Sequence, residues 1–582
     1  MPGLLRRIGP LAKVISRFVV PEEALRCYAE ALDPHSSELS LSNLLKSLDI
    51  GYEVADAELA RIPKSGPVVV VANHPFGLLE GLILADMLPR IREDVRIAAN
   101  SLLALIPGLK GPFLYVNPFG TAEAVLGNRG GVREAVRWLK AGGMLVIFPA
   151  GEVSHIRPLE VTVCDPKWND GAARLARLTG ADVLPMHFDG TNSLSFQLMG
   201  LLHPRLRTAR LVAELLNKRS QSVRVRVGHV IEHQALEKLP NSTEVTRYLR
   251  WRTSLLASPK DRARPHSLYP EPAPSPLAPA ESPAEMAEEV KRLGESKRLA
   301  SGGALEVFLA AAEEIPSVLR EIGRLRELTF RRAGEGTGKP EDLDCFDRHY
   351  LHLFLWNKQK GEVAGAYRLC ETKPVLERHG LRGLYTSTLF DYEPRLFDII
   401  GPAMELGRSF VRPEYQKQFA PLLLLWKGIA AYVARRPECC VLFGAVSISK
   451  EYRDRSRWLM ATTLVNQQQA NEIARMVRPR RPLRGRRWAP REEHVVEIGI
   501  RDLESLAELV SEIEGDGKGI PILLKQYLRL GGVALGFSLD GQFSDVLDGL
   551  ILVDLRRTGR ATLERYMSKE EAGRFLAYHG LA

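Results

Sequence analysis

Val68–Val71 are four consecutive valines inside the apolar run Pro67–Ala72, and they lead directly into Asn73-His74-Pro75-Phe76-Gly77. A β-branched run without polar alternation predicts a strand buried on both faces, as in a parallel sheet covered by helices. The Asn-His-Pro step predicts an abrupt turn at the end of that strand, and such strand ends are where open α/β sheets bind ligands. Gly77 lets the chain fold back, which brings the carboxylate of Glu80 within reach of the His74 imidazole. A histidine held by a carboxylate is a general base that takes the proton from a hydroxyl as it attacks an acyl carbonyl. Taken alone, the same histidine reads more simply as a cap on the helix that follows.

From about residue 59 to residue 231 strand and helix patterns alternate. Strands are expected at 95–98, 144–148, 183–188 and 223–230, and helices at 129–141 and 170–178. This predicts an α/β layer architecture. Between Pro265 and Ala284 there are seven prolines in twenty residues. Residues 258–300 are therefore expected to be a linker that packs as neither helix nor sheet. The expected division is 1–257, the linker, and 301–582. In the last part strands are expected at 351–356, 362–369 and 441–445, with a core helix over 421–433.

The chain carries 80 Lys and Arg against 70 Asp and Glu, a net charge of +10 that favours anionic surfaces. Leu4, Ile8, Leu11, Ile15 and Phe18 alternate with basic residues, which predicts an amphipathic helix able to lie on an anionic bilayer. Seven arginines between Arg478 and Arg491 form a basic loop, but no nucleic-acid-reading signature accompanies them, and no nucleic-acid partner is expected. The six cysteines have no paired spacing, so neither a metal site nor a disulfide framework is expected, and a reducing compartment fits. No apolar run reaches the length of a membrane span. The expected location is the cytoplasm, peripheral on the inner face of the cytoplasmic membrane.

Asn73–Gly81 resembles the first motif of the lysophosphatidic acid acyltransferase superfamily, in the branch often described as hemolysin-like. Asn117-Pro118-Phe119-Gly120 stands where the second motif is expected. Phe148-Pro149-Ala150-Gly151-Glu152 resembles the third motif, and Val183–Met186 the fourth. The resemblance implies His74 as base, Glu80 as its orienting partner, backbone N–H groups near Gly151 as oxyanion donors, and Asn73 and Glu152 as braces. The arginines that read a phosphate in that superfamily are missing, with Val153 in one of their places. The acceptor is therefore expected to lack a phosphate monoester.

Beyond the linker the chain resembles N-acyltransferases with a GNAT-like fold, including lyso-ornithine-lipid synthases and, more distantly, acyl-homoserine lactone synthases. The matching stretches are Phe346-Asp347, Leu351–Phe354, Gly365–Leu369, Glu405–Val411, Pro521–Gly532 and Phe543–Leu550. Glu405, Asp347 and His352 are candidate bases, and Arg368, Arg408 and Ser409 candidate substrate-binding residues. Glu405 and Arg408 are read equally well as a structural ion pair. Gln416–Pro421 lacks the small residues that cradle a coenzyme A pyrophosphate, which favours acyl carrier protein over acyl-CoA as donor. No bound cofactor is expected.

Joined, the halves resemble bifunctional ornithine-lipid synthases. The C-terminal domain is expected to attach a 3-hydroxyacyl chain to the α-amine of an amino acid, ornithine first among candidates. The N-terminal domain is then expected to acylate the 3-hydroxyl of that lyso-aminolipid. The alternatives are a lysophospholipid O-acyltransferase with a non-catalytic C-terminal module, and a membrane-binding hemolysin-like protein.

Overall fold

The computed structural model describes residues 22–32, 39–100, 112–116, 122–157, 162–202, 210–257, 274–416, 418, 420–466, 472–483, 500, 502–543 and 545–581. The amphipathic stretch at 1–20, the second-motif residues 117–120 and most of the arginine-rich loop lie outside them. The chain divides into two compact units, Met1–Arg262 and Ala263–Ala582.

The first unit is built on a seven-stranded sheet: β1 (Ile50–Glu53), β2 (Val68–Ala72), β3 (Val95–Asn100), β4 (Phe113–Val116), β5 (Met144–Ile147), β6 (Asp182–Phe188) and β7 (Gln221–Val227). Their order is β1-β7-β6-β2-β5-β3-β4, parallel except between β6 and β7. β2 is flanked on both sides, with Val70 opposite Val146 of β5 and Leu184 of β6. All five of its residues are buried. Val68, Val70 and Ala72 share a core with Leu79, Leu82 and Ile83 of helix α1 (Leu79–Met87). The intervening valines of β2 are equally buried, and β2 also packs against two further helices, α3 (Gly171–Thr179) and α4 (Ser242–Leu255), so polar alternation has no place along it. The helix expected over 129–141 starts earlier, as α2 (Ala122–Lys140), and runs through Gly130 and Gly131.

The second unit holds an eight-stranded sheet: β8 (Arg298–Gly302), β9 (Leu305–Ala311), β10 (Leu351–Asn357), β11 (Glu362–Glu371), β12 (Ala403–Val411), β13 (Val441–Ile448), β14 (Val533–Asp540) and β15 (Val546–Asp554). The order is β8-β9-β10-β11-β12-β13-β15-β14, antiparallel except for β12 and β13. Those two strands pair only at Ala403–Val441, Met404–Leu442 and Glu405–Phe443. Beyond these rungs β12 continues along β11 and β13 along β15, so the sheet is split into a wedge. Gly444 stands at the apex, where any Cβ would overlap the carbonyl oxygen of Leu406.

Of the expected linker 258–300, residues 258–273 lie outside the described ones and 274–282 carry neither helix nor strand, but the part from 283 onward is not structureless. Residues 283–293 form helix α5 (Pro283–Leu293). Pro283 sits at its first turn, where a missing N–H costs nothing, and Met286, Val290 and Leu293 give it a buried face. Glu289 on that face accepts the backbone N–H groups of Ser317 (2.9 Å) and Val318 (2.9 Å) at the start of helix α6 (Pro316–Arg332). Proline density marks the segment before the helix and hides the helix itself. The core helix expected over 421–433 is α7 (Ala420–Arg435).

Candidate active sites

At the end of β2 the chain leaves the sheet through Asn73 and His74. The Asn73 side chain donates to the Phe188 carbonyl (3.0 Å) and accepts its N–H (2.8 Å), which pins the turn to the end of β6. His74 is fixed by its backbone, donating its N–H to Asp165 Oδ1 (3.2 Å) and accepting the Ser154 N–H on its carbonyl (2.8 Å). Its ring stacks on Phe148 with centroids 4.6 Å apart. Nδ1 faces Glu80 Oε1 at 3.5 Å. Glu80 lies in the first turn of α1, fully buried, and the same oxygen accepts the N–H groups of Phe76 (2.6 Å) and Gly77 (3.2 Å). Gly77 has φ +97, and a Cβ there would come within 2.7 Å of Val153 and 2.8 Å of Leu211, so only glycine fits the turn.

The electrostatics suit a base. Burial works against protonation of His74, but Glu80, with help from Asp165, outweighs it and raises the imidazole above the ordinary histidine range. With Nδ1 turned to the carboxylate, Nε2 is the nitrogen left to accept a proton. The side chain is 15% exposed. The third-motif turn supports this ring on one side: the Pro149 carbonyl accepts both the Asn169 N–H (2.9 Å) and its Nδ2 (2.6 Å). Gly151 adopts φ +67 and donates its own N–H to the Phe148 carbonyl at 3.0 Å. That donor is thereby engaged within the turn. Glu152 is exposed on the same turn. Asp165 was not evident from the sequence. It accepts from Ser154 Oγ, Trp168 Nε1 (2.9 Å) and the His74 N–H, and no spacing rule links it to His74 across 91 positions.

In the second unit a cavity of about 880 Å³ occupies the wedge between β12 and β13. Gly407–Val411 form one wall and Ala445–Ser447 the other, with Phe330, Leu422, Ile522 and Phe543 adding apolar surface. Arg408 is the extra residue of a bulge in β12, at φ +50. Its guanidinium lies between the rings of Tyr385 (4.4 Å) and Phe543 (4.3 Å) and pairs with Asp342 (3.0 Å) and Asp344 (3.3 Å). Ser409 follows it on the cavity wall.

The other predicted residues of this unit lie elsewhere. Glu405 is buried at the last shared rung of β12 and β13, accepting from the Tyr350 hydroxyl and the Thr386 N–H (2.7 Å). Burial raises its carboxyl against those hydrogen bonds. The alternative pairing of Glu405 with Arg408 is not formed, since the partners of Arg408 are Asp342 and Asp344. Asp347 pairs with Arg326 (2.8 Å) and Arg368 (3.3 Å), and although burial opposes them, these guanidiniums hold its carboxyl well below the usual range. Fully buried Arg368 also reaches Asp344 (2.6 Å). His352 turns Nε2 to the Asp347 carbonyl (2.9 Å), and burial, reinforced by Arg326, lowers it to about 4, so it is neutral near pH 7. None of Glu405, Asp347, His352 and Arg368 lines the cavity, whereas Glu335 and Asp548, which sequence reasoning missed, do.

Residues 25–262 match the acyltransferase family, and residues 325–427 the acetyltransferase (GNAT) domain. The chain is 31% identical over 263 residues to the glycine N(alpha)-acyltransferase of Bacteroides thetaiotaomicron, covering 43% of this chain and 77% of that one. Against the protein of the same name from Phocaeicola vulgatus it is 30% identical over 286 residues, covering 45% and 84%. It is also 24% identical over 263 residues to the lyso-glycine lipid O-acyltransferase of Phocaeicola vulgatus, covering 42% and 90%.

Proposed function

The chain belongs to the acyltransferases, with an acyltransferase domain and a GNAT domain, and from that premise we propose that it makes a doubly acylated aminolipid in two steps. The second unit transfers a 3-hydroxyacyl chain from a thioester to the α-amine of a free amino acid. The first unit then esterifies the 3-hydroxyl of that lyso-aminolipid. One observation carries this reading: a single chain is similar both to proteins named for N-acylating an amino acid and to one named for O-acylating the resulting lyso-lipid.

The geometry around His74 supports the O-acylation step. His74 Nε2 takes the acceptor hydroxyl proton as the oxygen attacks the thioester carbonyl, and Glu80 steadies the imidazolium that forms. The C–S bond then breaks, and His74 returns the proton to the departing thiolate. The donor is acyl carrier protein rather than acyl-CoA, and the basic chain works at an anionic membrane surface; among the described residues no helix is long and apolar enough to cross the membrane. The acceptor proposed from the motif resemblance is ornithine. Glycine is the second reading, favoured by the names of the relatives.

The test uses the full chain in cells, with mass spectrometry of extracted lipids. Wild type should yield a diacylated amino acid, and His74→Ala should accumulate the monoacylated one. A wild-type extract containing no N-acylated amino acid in either form would overturn the two-step reading.

A further inference from the structure

The wall of the wedge cavity carries two carboxylates that no described cation contacts directly. Glu335 and Asp548 both line it. The Ser447 hydroxyl, also on the wall, donates to Glu335 Oε2 at 2.8 Å, and Ser447 stands directly opposite Asp548 in the pairing of β13 with β15. Asp548 is only 6% exposed, yet among the described residues its carboxylate has neither a hydrogen-bond donor nor an ion-pair partner. Glu335 likewise has no paired cation among the described residues. The guanidiniums that act on Asp548 are engaged elsewhere, Arg408 with Asp342 and Asp344, and Arg457 with Asp454 (3.7 Å). Arg332 and Arg408 line the same cavity, but among the described residues neither forms an ion pair with Glu335 or Asp548. Two carboxylates left without a direct ion pair on a largely buried wall are costly to maintain, unless a cationic ligand completes them.

We propose that Glu335 and Asp548 form the ammonium-binding end of the acceptor site for N-acylation, with Glu335 as the residue that deprotonates the amine. This rests on the reading of the second unit as an amino-acid N-acyltransferase and identifies its acceptor-binding groups. An amino acid arrives as an ammonium ion, which has no lone pair. Glu335 takes one proton from it and passes that proton to solvent. The freed lone pair forms the C–N bond at the thioester carbonyl, and the C–S bond breaks with its electron pair going to sulfur. The second N–H proton goes to the thiolate, so the products are an amide, a thiol and one released proton.

The local structure supports a fixed base. Fully buried Glu327 on α6 accepts from the Thr337 N–H (3.0 Å), the Thr337 hydroxyl (2.7 Å) and the Gly338 N–H (2.8 Å), which shapes the loop carrying Glu335. The Glu335 N–H itself donates to the Phe330 carbonyl at 2.8 Å. Burial raises the Glu335 carboxyl, with the Ser447 hydrogen bond opposing, which makes it a stronger base than a solvated carboxylate. Burial, followed by repulsion from Asp540 and Glu335, raises Asp548 well above the carboxylate range. A bound ammonium relieves that repulsion.

The experiment measures steady-state N-acylation by the purified full chain with ornithine, glycine and aminooxyacetate as acceptors, the last having a nitrogen unprotonated at neutral pH. Glu335→Gln should lower kcat for the amino acids about 100-fold or more, while aminooxyacetate loses less than about tenfold, because only the ammonium acceptors need the base. Glu335→Asp, which keeps the charge, should recover part of the loss. Asp548→Asn should raise KM for the amino acids about tenfold with a smaller change in kcat. Thermal melting identifies any variant that fails to fold, and Glu335→Asp then carries the comparison. An active wild type whose variants keep its kcat and KM, or a Glu335→Gln enzyme equally impaired toward all three acceptors, overturns the inference alone. A wild type that acylates no amino acid overturns the functional reading and this inference together.

Discussion

Glu80 Oε1 lies 3.5 Å from His74 Nδ1 and 2.6 Å from the Phe76 amide nitrogen, so a single carboxylate oxygen both faces the imidazole and closes the turn that presents it. The fold of this loop and its chemistry are therefore coupled through one buried side chain. Changes to either partner should separate the two effects in different proportions.

His74 is raised above the ordinary histidine value of about 6.5, and a general base works only when unprotonated. The O-acylation rate should therefore climb with pH through a value above 6.5 and then level off. Glu80→Gln removes the carboxylate that raises His74 and leaves burial, which lowers it, so the rising limb should move to lower pH. The plateau should fall about 100-fold or more, from loss of the orienting group. A pH–rate profile of each protein checks both the direction and the size.

Asp165 holds three donors, from Ser154, Trp168 and the His74 backbone. Asp165→Ala leaves them unsatisfied in a buried place, at a cost of about 1–3 kcal/mol for each donor that water does not reach. The thermal midpoint should drop by several degrees, and O-acylation should fall further than the lost folded fraction explains. Calorimetry alongside kinetics on the same preparation measures both.

Gly444 closes the last approach of β13 to β12 beside the Leu406 carbonyl. Gly444→Ala should destabilise the second unit by about 1–3 kcal/mol through overpacking and widen the wedge. N-acylation should fall, with O-acylation by the same chain close to wild type. Assaying both products from one sample gives the internal control.

Glu405→Gln replaces an acceptor shared by the Tyr350 hydroxyl and the Thr386 N–H with an amide that presents N–H groups at one end. The expected outcome is lower stability together with reduced N-acylation, by about 1–3 kcal/mol in denaturant unfolding. A variant as stable as wild type but without N-acylation would instead assign Glu405 a chemical role.

The strands and helices were legible where periodicity is strong. The valine run of β2, the strand at 362–371 and the apolar helix α7 follow from burial patterns alone. The helix 283–293 was not, because the proline density before it outweighed the short amphipathic pattern of Met286, Val290 and Leu293. In the second unit, the motif resemblance and the need for a base pointed to Glu405, Asp347 and His352. Neither distinguishes a carboxylate that faces a cavity from one already satisfied by Tyr350 or Arg326.

The sequence by itself determined the strongly periodic elements and the one constellation whose partners are close along the chain. His74, Gly77 and Glu80 meet within a single turn, and local backbone geometry decides such contacts. Tertiary structure alone placed Asp165 under His74 and brought Glu335 to Ser447, 112 positions away. Those meetings depend on the order of strands in each sheet and on where β12 parts from β13, and strand order leaves no periodic trace in the residues it brings together.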